Sequence, residues 1–210
     1  MHDTLAVAVS CLLILAYYLY LGRRTRRSPL SSVHAVNAGI RERWVDMIRR
    51  SGKLDILAIQ TIRNSVMAAN FMATTAILLI IGLLNIGDKI GLWVVNRQPI
   101  LLIEPAELWQ IKLGLLLLDF AVAFYCFSMA IRLFNHAGYI INLPDDASTD
   151  GEIYQQTCAY LNRAGSYYAI GTRSFFFSLP IVLWFFGPYF LVLATFGLIA
   201  GLTLFDRAPS

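Results

Sequence analysis

Charge is what this chain has least of. Only 14% of its 210 residues are Asp, Glu, Lys or Arg, and 58% are hydrophobic. Soluble domains carry about a quarter charged residues. With a mean hydropathy of +0.62, the balance excludes an ordinary soluble domain and points to a bilayer. Cysteine is scarce too. Cys11, Cys126 and Cys158 are far apart and form no Cys-x-x-Cys pair, so neither a disulfide framework nor a zinc site is expected. The three histidines, His2, His34 and His136, all lie outside the interior of any apolar run. No facing pair is available to hold haem, and no metal or other cofactor is expected. There is no Gly-x-Ser-x-Gly, no His-Glu-x-x-His and no glycine-rich phosphate loop. An enzyme would have to be built from scattered polar side chains. The net charge of +4 gathers beside the apolar runs, which speaks for membrane orientation and not for nucleic acid.

What the chain does have is long apolar runs. Leu5 to Leu21 is followed by Arg23, Arg24, Arg26 and Arg27, the reverse of a cleaved signal, so a retained anchor is expected. Ser28-Pro29 breaks the helix, and Ser31 or Ser32 caps the next. From there Val33, Val36, Ile40, Trp44 and Met47 recur every three or four residues. This spacing predicts an amphipathic helix over about 31–50, lying in the cytoplasmic headgroup plane with Trp44 as anchor. Asp55 caps a long second helix. Gly87 to Pro105 is expected to connect it to a third span opening at Glu104-Pro105, and a short helix over Ile153 to Arg163 follows a polar linker. Phe175 to Phe205 reads as one kinked span, interrupted by Pro180 and by Gly187-Pro188. The expected fold is all-α: a single domain over 1–210, an integral membrane four-helix bundle with an amphipathic cytoplasmic interfacial helix. Its spans fall at about 4–21, 62–86, 106–134 and 174–205. Thirteen Lys and Arg then face inward and four, Lys89, Arg97, Lys112 and Arg207, outward, which places both termini outside. In a bacterial cell the protein would reside in the inner membrane.

Polar residues inside these spans are the candidates for function. Gln60, Arg63, Met67, Asn70 and Thr74 fall on one stripe of the second helix, with Asn64 beside Arg63. Such an edge costs several kcal/mol per unsatisfied group in hydrocarbon, so it should face helices or a wet cavity. Asp119, halfway along the third span, needs a partner, a proton or water; Lys112 lies about 10 Å earlier on the same helix. Arg132, Asn135 and His136 form a polar cluster at the cytoplasmic end of that helix, to which Arg173 is expected to add. The arginines at 23, 24, 26 and 27, with Trp44, are expected to touch lipid headgroups.

Arg27-Ser-Pro-Leu30, Asn37-Ala38, Arg43-Trp44, Gln60-Thr-Ile-Arg-Asn64, Met67-Ala68, Ala73-Thr74, Arg132 with Asn135, and Leu179-Pro180 with Trp184-Phe-Phe-Gly-Pro188 resemble the membrane proteins of the "domain of unknown function 599" family. The resemblance covers almost the whole chain. It implies a multi-span integral membrane protein and carries no catalytic or binding residues with it. Three readings follow. The first is a homo-oligomeric small channel or transport module, with second helices meeting through Ala68, Ala69, Ala73 and Ala76. The second is an accessory or scaffold subunit bound to another membrane protein. The third is a lipid-binding or lipid-modifying protein, with the Arg23–Arg27 cluster and the Arg132/His136 group holding a phosphate headgroup.

Overall fold

Every element of the computed structural model is a helix. It describes residues 2–27, 33–50, 56–96, 106–143 and 150–206. In chain order these form α1 (His2–Arg27), α2 (Val33–Arg50), α3 (Ile56–Asn96), α4 (Ala106–Ile140), α5 (Asp150–Trp184) and α6 (Pro188–Phe205). Stretches within α1, α3 and α4 are long and apolar enough to cross a membrane, and α6 is a shorter apolar helix. The caps expected at Ser31, Ser32 and Asp55 lie outside the described residues.

Cross-helix contacts set the directions. Along α4 and α5, Lys112 meets Trp184, Asp119 meets Ser174, Phe127 meets Tyr168, and His136 meets Tyr160. The two helices are therefore antiparallel, and theirs is the most extensive interface. On the other side Gly87 approaches Leu113, Ala73 packs with Ala123 and Phe127, and Ile62 reaches Gly138. α3 is thus antiparallel to α4, and its small residues Ala69, Ala73 and Ala76 are buried inside the chain. The close approach expected between copies at these alanines is made to α4 instead; Ala68 alone of the four stays exposed.

The largest departure from expectation is at the carboxyl end. In place of one kinked span over 174–205, α5 stops at Trp184 and the chain turns back as α6. The ion pair between Arg173 and Asp206, at 2.6 Å, decides this, because a continuous helix of 33 residues would hold them about 50 Å apart. The turn has a local cause. Residue 188 would donate to the Trp184 carbonyl in an unbroken helix, but Pro188 has no N–H. Gly187 bonds that carbonyl instead (3.1 Å), after tightened bonds from Phe185 to Val182 and Phe186 to Leu183. Gly187 has φ 141°, a conformation open to glycine and strained for other residues. Pro180, by contrast, is carried inside α5, so only the second interruption divides the helix. The short helix expected over 153–163 is the first part of the same α5.

α1 lies along α6 in the same direction. Asp3 accepts a hydrogen bond from the Trp184 indole (2.8 Å), Ala6 packs with Leu191, and Tyr17 reaches Asp206. The beginning of α1 and the end of α6 are therefore at opposite ends of the bundle.

α2 also differs from expectation. It docks on α5 through Val45, buried in one cluster with Cys158, Leu161 and Ala164, and Trp44 packs partly against the same cluster. Arg41 Nε donates to Asn162 Oδ1 (2.8 Å), and Asn162 Nδ2 donates to Glu42 Oε1 (3.1 Å). The Arg41 guanidinium lies where a Cβ at Gly165 would be, 2.9 Å away, and burial presses it below its ordinary basicity. Ile40 and Met47 remain exposed, so the stripe expected to enter the headgroup plane is only partly free. Cys158, under this contact, has its thiol pushed up by burial. In a Cys11→Ser background, Arg41→Ala is expected to raise the rate of maleimide labelling at Cys158 several-fold by releasing α2. An unchanged rate would mean that the packing of Val45 and Trp44 holds α2 without the clamp.

α3 continues to Asn96, ten residues beyond its expected end. The expected connection over 87–105 is thus helical in its first half, and 97–105 lies outside the described residues.

Candidate functional site

The polar stripe of α3 is intact as a surface feature. Gln60, Arg63, Asn64, Asn70 and Thr74 are all exposed, on the side turned away from α4. The reason is geometric: Ala58, Ile62, Ala69, Ala73 and Ala76 take the inner face, and steps of three and four leave the polar set opposite. Other polar groups of α3 are satisfied within the helix. Thr61 donates to the Leu57 carbonyl, Ser65 to Thr61, Thr75 to Phe71, and the Asn85 amide to Ile81. The Asn70 and Gln60 amides and the Arg63 guanidinium make no such bond among the described residues. They are groups for which the described residues supply no partner.

Asp119 is elsewhere, on the α5 side of α4. Its Oδ1 accepts a hydrogen bond from Ser174 (3.0 Å), and its buried Oδ2 has no partner among the described residues. The bond to Lys112 considered from sequence is replaced by this one. Lys112 is wholly buried, donates to the Trp184 carbonyl (3.1 Å) and stands 4.9 Å from the Trp184 ring centre. A cation at the end of α5 completes the carbonyl left short by Pro188 and is favoured by the helix dipole.

Arg173 does not join the cluster at 132–136. It pairs with Asp206, which also accepts from the Tyr17 hydroxyl, so one carboxylate ties α1, α5 and α6. Arg132, Asn135 and His136 are exposed at the far end of α4, where His136 stacks beside Tyr160 at 5.7 Å. That end lies opposite residues 160–163 of α5, about 15 Å along the helix from Arg173. Arg23 is exposed; the side chains of Arg24, Arg26 and Arg27 lie outside the described residues.

Among the described residues, no group of three or more His, Cys, Asp or Glu comes together to hold a metal. At the α3 edge the described side chains offer amides, a hydroxyl and a guanidinium, groups that donate and accept hydrogen bonds.

The family model described as "Protein of unknown function, DUF599" matches residues 5–210. The chain belongs to this DUF599 family. No curated protein and no solved structure matches it. For this DUF599 protein, Asp206, Tyr17, Ser174 and Asn162 were not singled out from sequence; each acts through a partner distant in the chain. Lys112 had a local signal in principle. A proline four residues after Trp184 announces a carbonyl in want of a donor.

Proposed function

We propose that this DUF599 protein is a homo-oligomeric small channel or transport module, whose copies meet along the polar edge of α3. One observation carries the reading: Gln60, Arg63, Asn64, Asn70 and Thr74 all lie on the open side of a membrane-length helix. An amide left without a hydrogen bond is costly against lipid. A second copy relieves that cost directly, because an amide has both donor and acceptor and can pair with its own image across a symmetry axis. Arg63 and Asn64 lie toward the end of α3 where α2 docks, and around an axis they would form a cationic, hydrogen-bonding mouth that favours anions. Asp119 faces α5 and takes no part in the pathway.

In this reading α1, α3, α4, the second half of α5 and α6 all cross the bilayer. The 18 residues of α6 reach about 27 Å, close to the ~30 Å hydrocarbon core. The amino end then lies outside and the carboxyl end in the cytoplasm. Arg207, next after Asp206, moves to the inner side, giving fourteen basic residues inside and three outside, a stronger bias than two outer termini would give.

Native mass spectrometry after gentle extraction is expected to give a single homo-oligomer that Asn70→Leu shifts toward monomer. Arg63→Ala should leave the assembly intact and change anion flux in vesicles by roughly tenfold or more. A dimer without flux would make the edge a packing seam. A lone copy that leaves the membrane only with a different protein would replace the channel by an accessory subunit.

A further inference from the structure

We propose that the outer groove between α4 and α5, at the end where α2 docks, is a phosphate-binding site clamped by Arg132 and Arg163. The inference is independent of the α3 edge, which lies on the other flank of α4. Two ring contacts mark the groove. Tyr125 meets Tyr167 edge-on at 6.5 Å, and His136 meets Tyr160 at 5.7 Å. On α4, Arg132 comes seven residues after Tyr125 and four before His136, so all three share one stripe. On α5, Arg163 comes three residues after Tyr160 and four before Tyr167. Because the helices are antiparallel, the ring contacts bracket both arginines at one height, with Asn135 on the flank of the α4 stripe.

Both arginines are exposed, and neither has a hydrogen bond or ion pair among the described residues. Other arginines are committed: Arg173 to Asp206, Arg41 to Asn162, Arg50 to Asp46 and Arg43 to the Gly39 carbonyl. The acids of α4 and α5 (Glu107, Asp119, Asp150 and Glu152) are all eleven or more residues from either arginine, and Glu42, the acid that α2 brings to this end, accepts from Asn162. Two planar forks set side by side match the several oxygens of a phosphate. Tyrosine hydroxyls and the Asn135 amide can supply further bonds at the rim. The position suits a headgroup, since long arginine side chains near a helix end reach the interface while their stems stay in the apolar layer.

The shared chemistry is an oxyanion of phosphate, on a lipid or free in solution, and the test separates the two. The whole protein in mild detergent is titrated with phosphatidylglycerol and, separately, with inorganic phosphate, and followed by native mass and thermal shift. Arg132→Gln with Arg163→Gln is compared with Arg43→Gln and Arg50→Gln, which remove the same charge from α2. Binding of phosphatidylglycerol should weaken roughly thirtyfold in the first pair and no more than about threefold in the second. If inorganic phosphate alone binds, with the same dependence, the site takes a soluble phosphate. Should the glutamine pair fail to fold, Arg132→Lys with Arg163→Lys keeps the charge and loses the fork, and is expected to bind several-fold more weakly. The proposal is overturned if neither probe binds the unaltered protein. Equal losses in the 132/163 and 43/50 glutamine pairs, or a lysine pair that binds as tightly as arginine, would overturn it too.

Discussion

Arg173→Met is expected to cost this protein about 3 kcal/mol, the lower end of the cost of removing one partner of a buried ion pair, because this pair is part-buried. The Asp206 side chain is only 17% exposed, and without Arg173 its charge rests on the Tyr17 hydroxyl alone. The loss would spread beyond one bond, because the same carboxylate joins the end of α6 to α1 and α5. Unfolding in mild detergent should show a fall in Tm of roughly 6–12 °C for a chain of this size. Arg173→Met combined with Asp206→Leu should recover more than half of that fall, since no buried charge is left over. A double variant as unstable as the single would mean that the arginine matters through its packing and not through its charge.

Gly171→Val should be nearly as damaging, for the opposite reason. A Cβ at this position would stand 3.0–3.1 Å from three ring carbons of Phe127. The ring has no room to retreat: it is wholly buried, packs with Ala73 of α3, and lies 5.5 Å from Tyr168 and 5.9 Å from Phe175. Overpacking of this kind costs about 3 kcal/mol, at the upper end of its range. Phe127→Ala alone would cost about 3–5 kcal/mol by the cavity it opens. The pair together should cost at least ~1 kcal/mol less than the sum, because the valine fills part of the space left by the ring. Strict additivity, measured by unfolding in the same detergent, would show that the ring moves aside after all.

These two sites differ in how far the sequence could announce them. Gly171 is one glycine among fourteen, and nothing local says which ring will lie against it. Arg173 looked like a member of a cationic cluster with Arg132 because both belong to the same inner segment of the chain. Their separation came from pairing: Asp206, 33 residues later, took Arg173, while Arg132 stays exposed near the end of α4.

The sequence by itself determined what short-range physics controls. Apolar runs with little charge required helices in a bilayer, and helical spacing alone put Gln60, Arg63, Asn70 and Thr74 on one edge. It also marked the helix break, since Gly187-Pro188 removes a donor and permits a positive φ whatever surrounds it. Only the tertiary structure decided what that break does. A kink and a reversal need the same two residues, and the choice came from Lys112 completing the Trp184 carbonyl and from Asp206 meeting Arg173 and Tyr17. It likewise decided which face of α3 is covered, and so left the polar edge open. Pairings of that kind join residues tens to nearly two hundred positions apart, and no periodicity in the chain records them.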